Sequence, residues 1–406
     1  MRSGPGGGSR PASQQGMRQH NLALVMSTVA GHGPVSRAAV AGHTGLTRPA
    51  VSSLVDELLA AGLLTELGPA ANGRVGRPGS ALMVSDRGPA GLGLEVGVGH
   101  LGACVTDLRG QVRVWTVVES PNAALPPAEV LARLAALASE ATAGAAGLGL
   151  RPVAAVMAVP GLVADASGTV GSAPNLGWHH VPVADLWPGP LPPRVENEAN
   201  LGALAELSAH PVAADFIHVS AESGIGAALV VGGRLFTGAR GLAGELGHMP
   251  VHPDGPPCSC GARGCLERYA AKAAVLRAAG LPPNPAAVTS SGERPGDGIA
   301  LLAERARAGD ARVGRALEEA GRALGTALAG AVNLLDPAAV VLGGAYAELG
   351  EWLVPPMRRE LAARVTVREW DPGALTVSEL GRRGPLLGAA LATVRSVLED
   401  PTAVWT

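Results

Sequence analysis

Three of the four cysteines lie close together in the sequence, and a histidine precedes them. The segment C-S-C-G-A-R-G-C contains Cys258, Cys260 and Cys265, and His248 lies ten residues before the first of them. Three thiolates and one imidazole are the donor set of a closed tetrahedral Zn²⁺ site, which has no open position for a catalytic water. The N-terminus shows no apolar signal segment, and clustered cysteines in such a chain favour a metal site over disulfides. The spacing therefore predicts one structural zinc ion per chain.

Two other interpretations of this segment are open. His252 could supply the imidazole in place of His248, and the cysteines could be reduced with no metal bound. We favour His248 and a bound ion. A metal here would brace the loop that presents Glu245 and Glu267, whose carboxylates we expect to face a ligand cleft.

The charge distribution separates a basic N-terminal part from an acidic remainder. Residues 1–90 contain eight arginines against four acidic residues, a net charge of +4, and because the whole 406-residue chain has a net charge of −2, the remainder carries −6. A basic end on an acidic chain indicates that this end meets a polyanion. The length allows several domains with sizeable cores, which excludes a fibrous chain or a short disulfide scaffold.

The basic part has the helix signals of a DNA-binding domain. Apolar spacing predicts a helix over residues 18–31, and Ser36 is a good N-cap for a short helix over 37–43. A second cap at Thr47 begins a further helix, which Gly62 ends. Two short helices joined by a tight glycine turn are typical of a helix-turn-helix, whose second helix enters the major groove.

Two extended stretches around a Gly/Arg loop, LLTELG and GRVGRPGSALMVS, follow that helix and predict a β-wing. A wing would carry arginines to the DNA backbone or minor groove. The expected DNA contacts, at the start of the second helix and in the wing, are Thr47, Arg48, Ser52, Ser53, Arg74 and Arg77. The alternative is a small helical subdomain used for packing or dimerisation.

After residue 90 the pattern changes to strands that alternate with helices, which is typical of an α/β fold. In the first half we expect strands at 92–96, 102–107, 112–118 and 153–159 and a helix at 127–146. In the second half we expect strands at 215–220, 226–231, 233–236, 339–342 and 374–378 and helices at 296–308, 310–335 and 385–399. Because the two halves repeat one order, we predict two lobes with a small-molecule cleft between them.

Several motifs of this body resemble those of the ROK family, which shares the sugar kinase/actin-like ATPase fold. They are V-P-G-L-V at 159–163, P-N-L-G-W at 174–178, V-E-N-E-A-N at 195–200, and G-E-L-G-H followed by C-S-C-G-A-R-G-C-L-E. A winged helix fused to such a body is similar to the repressor branch of the family, which includes xylose, glucose and N-acetylglucosamine regulators.

The resemblance implies a set of sugar-contacting residues, which are Gly161, Asn175, Asn197, Glu198, Glu245, His248 and Glu267. Carboxylates and carboxamides suit vicinal hydroxyls, and a buried acceptor left unpaired penalises the wrong epimer. Each acid taken alone could equally be a solvated surface charge.

The nucleotide motifs depart from those of the family's kinases. Glu198 stands where the kinases have an Asp general base, and the extra methylene would displace the carboxylate. The phosphate loop reads Glu-Val-Gly-Val-Gly-His at 95–100, without the second Gly, the Thr and the Lys of the kinase pattern. The nucleotide positions that remain recognisable are Glu95, Gly97, Gly224, Gly226, Gly343 and Gly344. We therefore expect no kinase activity, with an ATP-dependent sugar kinase as the alternative.

The expected architecture is a disordered tail (1–16), a winged helix-turn-helix (17–85), a first lobe (90–212), a second lobe with the zinc loop (213–384), and a closing helix (385–399) that returns to the first lobe. We predict a sugar-responsive repressor that binds operator DNA and a monosaccharide or sugar derivative, as a homodimer or tetramer.

No apolar run approaches the ~18 residues that cross a bilayer, so we expect a cytoplasmic protein. A metal-dependent hydrolase is disfavoured, because neither His179-His180 nor His252 with Asp254 has ligand spacing on a helix.

Overall fold

The computed structural model describes residues 14–69, 80–164, 168–209, 213–221, 223–282 and 298–405. The N-terminal elements are α1 (Gln14–His32), β1 (Val35–Ser36), α2 (Arg37–Thr44), α3 (Arg48–Ala60), β2 (Leu64–Pro69) and β3 (Ser80–Val84). The three strands form an antiparallel sheet in the order β1-β3-β2. This part, here called the head, is a winged helix.

Both predicted helix caps of the head are confirmed. The Ser36 hydroxyl accepts a hydrogen bond from the Ala39 N–H at 3.2 Å, and the Thr47 hydroxyl accepts one from Ala50 at 3.4 Å. The predicted disordered tail is wrong in its last three residues, because α1 begins at Gln14. The rest of the predicted tail lies outside the described residues.

The first lobe consists of β4 (Gly88–Val96), β5 (His100–Asp107), β6 (Val112–Glu119), α4 (Pro127–Gly147), β7 (Leu150–Val159), β8 (Leu162–Ala164), β9 (Thr169–Ala173), β10 (Trp178–Pro182), α5 (Val183–Leu186), β11 (Arg194–Asn197) and α6 (Glu198–Ala209). Its main sheet has the order β11-β7-β4-β5-β6, and β8, β9 and β10 form a small separate sheet. This small sheet was not predicted from the sequence.

The second lobe consists of β12 (Phe216–Ala221), β13 (Ile225–Val231), β14 (Arg234–Phe236), α7 (Glu267–Ala270), α8 (Lys272–Ala278), α9 (Gly298–Arg307), α10 (Ala311–Leu335), β15 (Ala339–Gly344), α11 (Gly350–Arg364) and β16 (Leu375–Val377). Its sheet has the order β14-β13-β12-β15-β16. In both lobes an antiparallel three-strand meander is extended by two parallel strands beside its first strand. The predicted repeat of one strand order is confirmed.

Two helices lie between the sheets and join the parts of the molecule. Leu201 of α6 packs with Ala389 of α12 (Gly384–Glu399), while Ala199 and Ala203 of α6 pack against the second sheet. Because α6 buries opposite faces, it lacks the one-sided apolar pattern by which surface helices are recognised in a sequence. For that reason α6 could not be recognised from the apolar pattern of the sequence.

The last helix connects the first lobe to the head. Gly93 of β4 lies so close to α12 that an added Cβ would come within 2.5 Å of the Ala390 nitrogen. Further along, Val394 and Val397 belong to the same buried cluster as Leu22 of the head. Head and body therefore share apolar core. Within the described residues, no helix has both the length and the apolarity that spanning a bilayer would require.

Candidate metal centre and interlobe cleft

The four predicted metal ligands are brought together in one cluster. The ligand atoms of His248, Cys258, Cys260 and Cys265 all lie within 4.8 Å of one another. The Cys260 and Cys265 Sγ atoms are 3.7 Å apart, close to the edge of a tetrahedron with Zn–S bonds of about 2.3 Å. Cys258 Sγ lies 4.0 Å from His248 Nδ1. The residues and their spacing fit a metal ion.

The backbone of residues 248–265 turns tightly around this cluster. The Gly261 N–H donates to the Cys258 carbonyl oxygen at 3.1 Å, and the Cys258 N–H donates to Ala262 at 2.8 Å. Gly264 has a φ of 66°, and a Cβ there would lie 1.7 Å from the His252 carbonyl oxygen. His252, the alternative imidazole donor, instead packs on Tyr269 with ring centroids 5.0 Å apart, outside the cluster.

The cysteine thiols have shifted acidities. Burial alone would raise the pKa of Cys258, but hydrogen bonds from the Cys260 N–H, the neighbouring thiols and His248 lower it to about 7. Burial, followed by hydrogen bonding and charge from Cys258 and Cys260, raises the pKa of Cys265 to about 12. A metal ion at this position would supply the positive charge that holds three thiolates together.

His248 connects the cluster to the cleft. Its Nδ1 faces Cys258, while its Nε2 lies 3.8 Å from Glu245 Oε2. Burial raises the pKa of Glu245, the charge of His248 opposes that rise, and the charge of Glu267 adds to it. A histidine that holds a metal by one nitrogen commonly has its other nitrogen facing a carboxylate. His248 therefore links the metal cluster to Glu245, which lines the cleft, without lining the cleft itself.

A cleft lies between the lobes. Its lining residues come from both lobes and are Gly161, Leu162, Val163, Asn197, Asn200, Gly226, Ala227, Gly241, Leu242, Ala243, Gly244 and Glu245. Of the seven predicted sugar contacts, Gly161, Asn197 and Glu245 line it.

Asn197 organises the first-lobe wall of the cleft. Its Nδ2 donates to the Gly161 carbonyl oxygen at 2.8 Å, and its Oδ1 accepts from the Ala199 N–H at 2.8 Å, at the start of α6. Gly161 has a φ of 109°, and a Cβ there would lie 2.3 Å from the Ser172 carbonyl oxygen. Glu198, the first residue of α6, is half-buried beside this cap.

Glu267 and Asn175 meet at the loop between β12 and β13. The Ile225 N–H donates to Glu267 Oε1 at 2.9 Å. A Cβ on Gly224 would lie 2.7 Å from Glu267 Oε1 and 3.4 Å from Asn175 Nδ2. Asn175 belongs to the first lobe, whereas Gly224 and Glu267 belong to the second. The two lobes therefore come close together at this point.

The turn between β4 and β5, the expected first phosphate loop, is filled by a side chain of its own. His100 Nε2 lies 3.3 Å from Glu95 Oε1, and a Cβ on Gly97 would lie 2.1 Å from His100 Cε1. Asn122 donates to the carbonyl oxygens of Gly97 and His100 at 2.7 and 2.8 Å. The imidazole therefore packs over the glycine at which a phosphate would approach the backbone.

The two glycines that end β15 also have close neighbours. A Cβ on Gly343 would lie 2.3 Å from the ring of His218, and one on Gly344 would lie 2.9 Å from the Ala221 backbone. Gly344 has a φ of 60°. The shape of the fold accounts for both glycines without a nucleotide.

The buried His218 is expected to make the stability of the lobe interface depend on pH. The ring is 2% exposed between Gly202 of α6 and Gly343 of β15, and its burial lowers the pKa to about 4. The unfolded chain binds the proton more readily, so the stability from neutral His218 is present above the unfolded pKa and is lost as the pH falls from about 6.5 towards 4. For His218→Phe, which cannot titrate, the free energy of unfolding should lose about 2 kcal/mol less than in the wild type between pH 7 and pH 5.

Urea unfolding of the two proteins at both pH values measures this difference. Carboxyls whose pKa values are lowered, such as those of Glu360 and Asp400, are present in both proteins and cancel. Equal pH dependence in wild type and variant would show that His218 does not titrate in this range.

The head presents the predicted DNA contacts at the start of α3. Thr47, Arg48 and Ser53 are exposed, and Ser52 is half-exposed. The predicted wing arginines, Arg74 and Arg77, lie outside the described residues. One arginine that the sequence analysis missed, Arg37, pairs with Asp56 of α3 and Glu66 of β2 at 2.9 Å each. In the sequence, only the position of Arg37 in the first turn of α2 could have indicated that it bridges α3 and β2.

The fold and site together define a winged helix joined to a two-lobed sugar kinase/actin-like body. The ROK family matches residues 91–395. The xylose repressor of Bacillus subtilis (strain 168) is 28% identical over 397 residues, which cover 96% of this chain and 98% of that protein. A crystal structure of a ROK family transcriptional regulator, a homologue of the E. coli MLC protein, superimposes with a TM-score of 0.77 and 25% identity over 96% of this chain and 100% of the other.

Kinases of this fold are also similar to the chain. A ROK glucokinase from Streptomyces griseus, in complex with glucose and AMPPNP, has a TM-score of 0.61 and 31% identity, and covers 75% of this chain and 98% of its own. This chain belongs to the ROK family.

Proposed function

We propose that this chain is a sugar-responsive transcriptional repressor whose head binds operator DNA and whose interlobe cleft binds a monosaccharide or a simple sugar derivative. The main support for this proposal is the winged helix of the head. The similar xylose repressor and ROK regulator extend over 96% of the chain, whereas the similar glucokinase covers 75%. A body of this fold serves more than one function, and a folded winged helix distinguishes a regulator from a kinase.

The DNA surface would be built on α3 and the wing. Thr47, Arg48, Ser52 and Ser53 lie at or near the N-terminus of α3, where a recognition helix meets base edges. Arg37 pairs with Asp56 of α3 and Glu66 of β2, and these ion pairs would help to orient the wing relative to α3. Arg74 and Arg77 would contact the backbone or minor groove. Binding to operator DNA would place the protein's work in the cytoplasm.

The sugar would be held by groups from both lobes. Asn197 and Glu245 line the cleft, and Glu267 and Asn175 meet beside Gly224. Glu198 and Gly161 would add hydrogen bonds from the first-lobe wall. A ligand that contacts both lobes favours the closed arrangement by its differential affinity for the two arrangements.

We propose that the metal is Zn²⁺, held by His248, Cys258, Cys260 and Cys265 as a structural ion, one per chain. When bound, it would supply the positive charge that keeps the thiolates together. The chain's own residues would then do the rest: His248 would orient Glu245, and the loop would hold Glu267 towards the cleft.

The alternative is an ATP-dependent sugar kinase, and the 31% identity to a glucokinase favours it. Against it, His100 packs over Gly97, and Glu198 stands at the general-base position. A kinase requires an open glycine loop for phosphates and a well-placed base. If this chain is a kinase, a coupled assay will detect ADP release with one or more of a panel of sugars. In that case Glu198→Gln would abolish the ADP release. Such turnover would reverse our ranking of the two functions.

A palindromic operator matches two-fold protein symmetry, so we propose a homodimer, or a tetramer built from dimers. The joint between the sugar cleft and the head would be α6 with α12. Helix α6 starts at the cleft, and α12 packs against it and ends in the core of the head.

Fluorescence anisotropy with DNA from the promoter region of its own gene tests the proposed function. We expect the wild-type protein to bind a cognate fragment more tightly than random DNA of equal length, and a bound sugar to change that affinity. Arg48→Ala should weaken cognate binding about tenfold or more and random binding much less, because a base contact carries sequence information.

The control is Arg133→Ala, on an exposed arginine of α4 that pairs with Glu129 at 2.6 Å, far from the head in sequence. It should leave both affinities unchanged. Equal losses of cognate and random binding in Arg48→Ala would make Arg48 a phosphate contact, and a wild-type protein that prefers no fragment would contradict the regulator.

A further inference from the structure

Tyr346 lies in the turn after β15 and is not among the residues assigned above to sugar or metal. It is fully buried, and its hydroxyl donates a hydrogen bond to the carbonyl oxygen of Ala270, the last residue of α7. Burial, and after it the negative charge of Glu267, raises the pKa of Tyr346. The hydroxyl therefore remains a protonated donor over the physiological range.

Helix α7 needs such an anchor because it is only one turn long, from Glu267 to Ala270. A single turn is not stable by itself and takes its position from its contacts. At its start, Glu267 Oε1 accepts the Ile225 N–H at 2.9 Å. At its end, the Tyr346 hydroxyl holds the Ala270 carbonyl.

The surroundings of Glu267 allow little freedom. A Cβ on Gly224 would lie 2.7 Å from Glu267 Oε1, and a Cβ on Gly247 would lie 2.9 Å from Glu267 Cγ. Glycines at both positions let two loops close around the carboxylate. A small displacement of α7 would therefore break the hydrogen bond to Ile225 or push the side chain into one of these loops.

We propose that Tyr346 is a positioning residue that fixes the Glu267 carboxylate for sugar binding by anchoring the end of α7. The proposal rests on the proposed function, in which Glu267 binds a sugar hydroxyl. In this proposal, the turn after Gly343-Gly344 anchors α7 through Tyr346, and this role requires no bound nucleotide.

Hydrogen exchange at the Ile225 amide tests the proposal with no sugar present. The proteins are full-length wild type, Tyr346→Phe, Glu267→Ala and the double variant. We expect Tyr346→Phe to speed Ile225 exchange about tenfold, because the loss of a buried hydrogen bond loosens the group it held. In the Glu267→Ala background Tyr346→Phe should add nothing at Ile225, since coupled residues are not additive.

The matched control is Tyr269→Phe, on the same helix. The Tyr269 hydroxyl is directed at Gly255 in the zinc loop, so this variant should leave Ile225 exchange unchanged. If Tyr346→Phe speeds exchange at Ala270 and Ala271 but not at Ile225, Tyr346 only stabilises the helix and the proposal is wrong.

Calorimetric titration with D-xylose and D-glucose gives the second readout. We expect Tyr346→Phe to weaken binding of the better of these two sugars about tenfold without loss of bound metal, and Glu267→Ala to weaken it further. Equal sugar affinity in Tyr346→Phe and wild type would overturn the proposal. If the wild type binds neither sugar while Ile225 exchange responds as expected, the positioning of Glu267 stands and the function proposed for these sugars fails.

Discussion

Cys260→Ser is expected to carry no zinc, while the wild-type chain is expected to carry one ion per molecule. The cluster offers four donors, and the loss of one thiolate opens a closed tetrahedral site. Cys260 is the exposed cysteine of the three, whereas Cys258 and Cys265 are buried, so the substitution removes a ligand without leaving a cavity. Elemental analysis of the purified proteins measures the metal content directly.

When the metal is lost, sugar affinity should fall by about tenfold or more. A loss of this size is usual when the groups that orient the residues of a site are removed. His248 would lose the ion that fixes its Nδ1, and its Nε2 could then no longer hold Glu245, 3.8 Å away. Cys104→Ala is the control, since Cys104 is a buried cysteine packed with Leu386 and Ala390 rather than with the cluster. A wild-type protein that binds sugar with no metal would contradict the proposed role of the ion.

The parts of this site that the sequence predicted depend on short stretches of chain. A helix cap involves residues three apart, so Ser36 and Thr47 could be identified from their neighbours alone. The metal cluster lies within residues 248–265, where spacing restricts how the ligands can meet. The two lobes were predicted from the repeated order of strands and helices along the chain, whereas the order of the strands within each sheet was not predicted.

The parts that were not predicted depend on packing between distant segments. Tyr346 and Ala270 are 76 residues apart, and nothing near either residue indicates the other. The sequence showed that His100 replaces a lysine of the kinase pattern, but the position of its ring over Gly97 follows from the turn and from the pairing with Glu95. Similarly, the sequence predicted a closing helix at 385–399 that returns to the first lobe, but did not show that Val394 packs in the head.

Gly388→Ala is expected to lower the free energy of unfolding by about 3 kcal/mol, the upper end of the cost of overpacking a core. A Cβ on Gly388 would lie 1.8 Å from the carbonyl oxygen of Leu201 in α6. The obstacle is backbone and cannot rotate away, so α6 and α12 would have to separate. Urea unfolding of wild type and variant measures the change.

Gly314→Ala in α10 is the matched control. Gly314 is also inside a helix, but no atom lies within 4 Å of the place where its Cβ would be. Alanine is preferred to glycine within a helix by about 0.5–1 kcal/mol, so this variant should be more stable than the wild type. The same substitution should thus have opposite effects in the two helices, and a neutral or stabilising Gly388→Ala would contradict the close packing of α6 on α12.

The same contact is the one through which a sugar could act on DNA binding. Helix α6 begins at the cap formed by Asn197, in the wall of the cleft, and α12 leads from Gly388 to Val394 in the core of the head. If a bound sugar shifts α6, the shift can reach the head only while α6 and α12 remain closely packed. At a temperature where Gly388→Ala is still folded, we expect it to bind operator DNA but to lose the change in affinity that sugar causes in the wild type. A full sugar response in that variant would mean that the signal reaches the head by another route, since the separation of α6 from α12 would then have no effect on it.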